Sequence, residues 1–314
     1  MSLPNLSERP SALDIIARHD LHGCNAIVTG GSTGIGYETA RALARAGARV
    51  TIATIEADTA HEAADALRRQ TGSSSVTVEK LDLASLASVR AFASVYLARG
   101  HRLHLLINNA GIMAAPLAYT PDGFESQFAI NYLGHFALTF GLLPALRAAG
   151  NARVVNLTSI AHRRSNINFD DIHYRQRPYD PFEAYGQSNT ATALFGVALT
   201  QRYAHSGITS NAVMPGGILT GLQKHILHEK QLELGWIDES GAPTALMKTP
   251  EQGAASVIWA AIAPELEGKG GLYVQQCTVA ERWKQDTPFL GYMPYALDPI
   301  NARRLWDVSE AMVR

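Results

Sequence analysis

The stretch Thr29-Gly30-Gly31-Ser32-Thr33-Gly34-Ile35-Gly36 follows a short apolar run, Asn25–Thr29, and opens an alanine-rich segment, Gly36–Ala46. Strand, glycine turn and helix in that order form the entry unit of a doubly wound α/β fold. Glycine lets the chain turn sharply after the strand and lets main-chain amides approach a pyrophosphate. The helix starting near Ile35 adds the positive end of its dipole. The spacing Gly30-x-x-x-Gly34-x-Gly36 departs from the commoner G-x-G-x-x-G, and a glycine turn alone is weak evidence. The run Asn108-Asn109-Ala110-Gly111, one strand pair further on, strengthens it.

Outward from this turn, β-rich and helix-favouring runs alternate. Strands are expected over Asn25–Thr29, Arg49–Thr54, Val76–Leu81, Leu103–Asn108, Arg153–Thr158, Thr209–Met214 and Gly271–Gln275. Helices are expected over Gly36–Ala46, Ala57–Gln70, Ser85–Ala98, Gly123–Ala149, Glu183–His205 and Pro250–Ala263. The alternation predicts a doubly wound parallel sheet of Rossmann type with seven strands, its ligand at their carboxyl ends. An N-terminal extension is expected over residues 1–20 and one catalytic domain over 21–314. Two stretches break the alternation: 221–249, with Trp236 and Met247, and 280–314, with Trp283, Phe289, Tyr292, Tyr295 and Trp306.

Composition narrows the class. The chain has 314 residues, 46% of them hydrophobic, and a net charge of −1, which suits one large core. Paired arginines occur at Arg68-Arg69, Arg163-Arg164 and Arg303-Arg304, without a basic block, so no nucleic-acid partner is expected. Cys24 and Cys277 are too few and too isolated for a disulfide framework or metal site, and no metal is expected. Residues Met1–His22 carry Glu8, Arg9, Asp14, Arg18 and Asp20 and no long apolar run. A soluble, cytoplasmic protein with no membrane partner is the expectation.

Ser159 ends one expected strand and Tyr185 lies near the start of the following helix. Hydride transfer to a carbonyl leaves an oxygen that must gain a proton; a tyrosine can donate it while a serine hydroxyl holds that oxygen. The glycine turn, Asp82-Leu83, Asn108-Asn109-Ala110-Gly111, Ser159, Tyr185 and Pro215-Gly216 together resemble the short-chain dehydrogenase/reductase superfamily. The likeness runs from about Leu21 to the C-terminus. Asn131-Tyr-Leu-Gly-His-Phe, Val154-Val-Asn-Leu-Thr-Ser-Ile-Ala-His162 and Arg304-Leu-Trp-Asp-Val-Ser-Glu are similar to its retinol dehydrogenase and WW-domain oxidoreductase branch.

The resemblance implies an NAD(P)-dependent oxidoreductase interconverting a hydrophobic alcohol and its ketone or aldehyde. It implies Tyr185 as general acid/base, Ser159 as holder of the substrate oxygen, and Asn131 as the residue that bends its helix and holds a relay water. For the cofactor it implies the turn residues Gly30, Ser32, Thr33, Gly34, Ile35 and Gly36, then Thr54 at the second strand's end. Asp82 and Leu83 would meet the adenine, with Asn109, Ala110 and Gly111 along the adenosine side. Pro215, Gly216, Ile218 and Thr220 would lie at the nicotinamide and pyrophosphate. Residues 221–249 would be the substrate lid, and 280–314 a tail that helps close the pocket or simply packs.

One position departs from the family. Where a lysine should follow the tyrosine by four residues stands Asn189. An amide still bonds a ribose hydroxyl, but it cannot supply the charge that favours tyrosinate. His135, His162 and His173 are read as structural, and Arg163 and Arg164 as the better surrogate cations, though solvent exposure is the plainer reading. Two alternatives therefore stand beside the enzyme: a cofactor-binding regulatory or vestigial protein, and a non-redox enzyme using Tyr185. NAD and NADP both remain open, with an inclination to NAD. Ile55 occupies the branch's usual basic position, no arginine lies in the turn, and Glu56 is nearby. The partner is a small carbonyl or alcohol, and a homo-oligomer is left open.

Overall fold

The computed structural model describes residues 9–314, so residues 1–8 of the expected extension lie outside the described residues. The elements in chain order are α1 (Ala12–Ile16), β1 (Asn25–Thr29), α2 (Gly34–Arg45), β2 (Arg49–Thr54), α3 (Ala57–Thr71) and β3 (Val76–Lys80). Then come α4 (Leu86–Ala98), β4 (Leu105–Asn108), α5 (Ser126–Phe128), α6 (Gly134–Gly141), α7 (Leu143–Ala149) and β5 (Ala152–Leu157). The rest are α8 (Pro181–Tyr203), β6 (Ile208–Met214), α9 (His228–Glu233), α10 (Pro250–Ile262), β7 (Tyr273–Gln275), β8 (Thr278–Val279) and α11 (Pro299–Val313).

The sheet order is β3-β2-β1-β4-β5-β6-β7-β8. The first seven strands pair in parallel, with Ile27 opposite Leu106 where the order reverses between β1 and β4. The sheet has eight strands rather than the expected seven. The extra strand, β8, is two residues long and returns antiparallel on β7. It was invisible because two residues carry no period.

Both faces are covered. Val28, Val50, Ile52, Ile107 and Val213 point to α1, α2, α3 and α10, while Ile27, Leu106 and Val154 face α4, α6, α8 and α11. Sequence signals set the helix starts. Asp180 caps α8 through the amides of Phe182 and Glu183, with Pro181 in the first turn; Thr249 and Gln252 form a capping box ahead of α10.

The expected single helix over 123–149 is broken. A π-turn occupies Ala129–Leu133, and Pro144, which has no N–H to continue the ladder, sits in the first turn of α7. The two arms bend by 63°. Together they pass a length-and-apolarity test for a broken span, but no single helix among the described residues is long and apolar enough to cross a membrane. Their residues Phe128, Tyr132, Phe136 and Leu146 are core. The tail divides: α11 packs on α8, with Trp306 buried against Phe136 and Phe195, while residues 288–295 run to the end of β5.

Candidate active site

The glycine turn closes on the loop after β4. Gly30 has φ of 63°, which favours glycine. A side chain at Gly36 would collide with the Gly30 carbonyl and come within 2.5 Å of Asn109 Nδ2. Asn109 Nδ2 donates to the Thr29 and Gly30 carbonyls at 2.8 and 3.3 Å, so this side chain braces the turn. Thr29 Oγ1 accepts from the amides of Asn109 and Ala110. The last glycine thus serves the turn's own packing before any ligand.

Across the cleft, a Cβ on Gly34 would lie 3.1 Å from Thr220 Cγ2, and Ile218 packs beside Gly253 near Ile35. The first turn of α2 has no side-chain cap from Thr33, and Ser32 and Thr33 are not buried. An uncapped N-terminus facing a second loop fits a pyrophosphate group. Asp82 sits just beyond β3, its Oδ1 fixed by the Ala84 amide, and Leu83 backs Gly134. Thr54 is buried, whereas Ile55 and Glu56 are exposed at the end of β2. The donor set fits a dinucleotide, with Pro215 and Gly216 at its far end.

The chemical corner joins three segments. Ser159 caps the short helical turn after β5, its Oγ accepting from the Ala161 amide at 3.1 Å. Tyr185 lies in the second turn of α8 and is 7% exposed. Burial raises the Tyr185 phenol, and hydrogen-bonding side chains of Ser159 and Asn189 pull it back. Neither an arginine nor a lysine is among the groups that perturb it. Asn189 donates from Nδ2 to the Tyr185 carbonyl at 2.8 Å, and its own carbonyl accepts from Thr158 Oγ1.

Asn131 lies in the π-turn, where the bent helix was expected. Its side chain accepts from the Ile112 amide and donates to the Ile112 carbonyl and to Ser188 Oγ at 2.9 Å. It ties the segment after Gly111 to α8. Its carbonyl accepts from His135 Nδ1 at 3.0 Å, and Thr29 Oγ1 meets His135 Nε2 at 2.9 Å. His135 thereby joins the π-turn to the glycine turn, a link no spacing announces.

The histidines are neutral structural groups: burial lowers His135, His162 and His173 to about 4. Arg163 donates to the carbonyls of Pro288, Leu290 and Gly291 and lies over Trp283; Arg164 lies over Phe182. Neither arginine acts on Tyr185. His162 holds the corner instead, donating from Nδ1 to the Ser159 carbonyl at 2.7 Å and accepting at Nε2 from the Met293 amide at 3.1 Å. Tyr273 Oη also reaches that carbonyl at 3.4 Å.

Above Tyr185 the surface is apolar. Met113, Ala114, Ala161 and Ile226 are buried around it, with Phe182, Leu222 and Trp236 packed alongside. Ala114 adopts φ of 49° without being glycine. Lys248, at the far end of the lid, donates to the Pro215 carbonyl at 3.0 Å. The sequence reading passed over Lys248, His135 as a link, and Tyr273. Each acts through a long-range contact that leaves no local pattern.

Comparison with known proteins agrees with this geometry. A family model described as short chain dehydrogenase matches residues 24–231. A "Probable oxidoreductase" of Streptomyces antibioticus is 46% identical over 300 residues, covering 94% of this chain and 99% of its own length. Mouse "Retinol dehydrogenase 12" is 41% identical over 283 residues, covering 90% of this chain and 84% of its own. Among solved structures, a "Pseudomonas aeruginosa RhlG/NADP active-site complex" superposes with a TM-score of 0.63 at 28% identity, covering 82% of this chain and 95% of that one.

Proposed function

Because the chain belongs to the short-chain dehydrogenase/reductase family, in its retinol dehydrogenase-like branch, we propose that it interconverts a bulky apolar alcohol and its carbonyl. Membership makes it a nicotinamide-dependent oxidoreductase of alcohols and carbonyls in general. The observation that carries the finer reading is the apolar cluster on Tyr185, formed by Met113, Ile226, Leu222 and Trp236. Such a lining gains by burying hydrocarbon, at about 25 cal/mol per Å². The name of the mouse relative supports the same substrate class.

In this reading the bound nicotinamide supplies or receives the hydride. Ser159 Oγ holds the substrate oxygen, and the Tyr185 hydroxyl gives or takes its proton. Exclusion of water follows from the lid residues Ile226 and Trp236. Asn189 bonds the Tyr185 carbonyl and favours the ionised phenol by hydrogen bonding, without supplying a charge. NAD is the proposed cofactor, on the exposed Ile55 and Glu56 where a 2′-phosphate would need a cation.

The test is turnover of NADH and NADPH with a graded series of apolar aldehydes and ketones across pH. Rates that rise with hydrocarbon bulk support the reading; equal rates for small polar carbonyls overturn it. A second reading, cofactor binding with vestigial catalysis, is favoured by the missing cation at Tyr185. Tight cofactor binding with no reduction at any pH would select it.

A further inference from the structure

A cavity of about 170 Å³, separate from the apolar cluster over Tyr185, lies beside Lys248. Arg9, Lys248, Ser256, Gln276 and Cys277 line it, and among the described residues no aspartate or glutamate does. Among the described residues neither Arg9 nor Lys248 forms an ion pair. Burial and the charge of Arg9 both push Lys248 below its ordinary value. Two like charges held at one cavity are costly until an anion lies between them. Lys248 gives one of its three donors to the Pro215 carbonyl.

Gln276 and Cys277 form the two-residue turn between β7 and β8, and their φ of 54° is what a tight hairpin turn requires. The Cys277 amide donates to Ser256 Oγ at 3.1 Å, and Ser256 is buried. The space admits a tetrahedral oxyanion or a short dicarboxylate.

We propose that this cavity binds a small doubly charged oxyanion between Arg9 and Lys248, apart from the cofactor cleft. The anion takes the two donors that Lys248 keeps free and draws the ammonium towards itself, which weakens its bond to the Pro215 carbonyl and loosens the nicotinamide loop. By linkage, anion and cofactor then weaken each other by the same factor.

The experiment uses the full chain saturated with its cofactor, which fills the pyrophosphate cradle. Inorganic phosphate and, separately, malonate are titrated by calorimetry; their relative affinity tells a tetrahedral ligand from a dicarboxylate. One equivalent of at least one anion should bind saturably. Arg9→Gln should weaken it about tenfold, the loss expected for one charge-assisted hydrogen bond, with an unchanged melting temperature. Cofactor titrated with the anion present should bind severalfold more weakly in the native protein and not in Arg9→Gln. No saturable binding of either anion overturns the site, as does an affinity in Arg9→Gln and in Lys248→Gln that is unchanged from the native protein. An unchanged cofactor affinity overturns the coupling.

Discussion

The turn between β1 and α2 and the corner between β5 and α8 are built by opposite means. In the turn, main chain meets main chain: Gly36 lies against the Gly30 carbonyl, with Asn109 wedged beside both. At the corner, side chains reach across to side-chain and main-chain groups of other elements. Asn131 reaches Ser188, His162 reaches Met293, and Thr158 reaches Asn189. Sterics leave the turn no freedom, whereas a hydrogen-bonded corner accepts a change of residue type when its neighbours rebond. The departure at Asn189 falls at the corner, where the amide is buried and bonds the Tyr185 carbonyl.

The comparison breaks at once if the turn proves tolerant. Gly36→Val should cost the folded protein, since its Cβ would overlap backbone that cannot move away. Overpacking of this kind costs about 1–3 kcal/mol or more. Thermal melting reads that loss, and a melting temperature equal to the native one would show the turn to be loose. At the corner, Tyr185→Phe should leave melting and cofactor binding nearly unchanged while kcat falls by about 10²–10⁴-fold. A kcat within twofold of native would remove Tyr185 from the chemistry.

Asn189→Lys sharpens the contrast further. No cation perturbs Tyr185 and burial raises it, so the alkaline limb of alcohol oxidation should lie high. A lysine should move that limb down by about 1–3 units and raise the neutral-pH rate about tenfold to a thousandfold. The gain must appear in both directions, since catalysis leaves the equilibrium alone. kcat/KM against pH decides it. A fall in activity would show that the corner has repacked around the amide, which now bonds the Tyr185 carbonyl. A smaller effect is expected at the cofactor's edge: Ile55→Arg should improve NADPH affinity about tenfold to a hundredfold, through charge-assisted bonds. A native preference for NADPH of that size would contradict the NAD assignment.

What was legible in the sequence follows the same division. The glycine turn and the alternation foretold seven parallel strands, because burial on both faces and tight turns write a period into the chain. The π-turn at Asn131 was legible only through resemblance, and Pro144 as a breaker went unread. At the site, Ser159 and Asn189 both lie against Tyr185, while Asn131 is tied to Ile112 and Ser188. Asn109 was expected along the adenosine, and the bond of its amide to the turn was not foreseen. Arg163 and Arg164 were the better surrogate cations, and Arg163 holds the tail while Arg164 lies over Phe182. Lys248 and His162 act over 33 and 131 positions of chain, and nothing local encodes such a contact.

The smallest expected effect tests how the tail supports the corner. His162 grips the Ser159 carbonyl with one nitrogen and the Met293 amide with the other, so it must stay neutral. His162→Gln keeps polarity but cannot span both partners. It should lower kcat about tenfold through a misplaced Ser159 hydroxyl, with cofactor affinity unchanged. A merely structural role would spare this split, and equal losses in kcat and cofactor binding would indicate one. The pH dependence of stability gives a second readout. Burial lowers His162 from 6.5 to about 4, so the unfolded chain takes a proton that the folded one refuses in that window. Stability should therefore be full above about pH 6.5 and fall on acidification towards 4, by up to about 1.4 kcal/mol per pH unit for each such histidine. His135 and His173 contribute in the same direction. Melting of His162→Gln across that window should show a shallower acid slope than the native protein, by one histidine's share. Parallel slopes would mean that His162 is already protonated in the fold, and the clamp on Met293 would have to be abandoned.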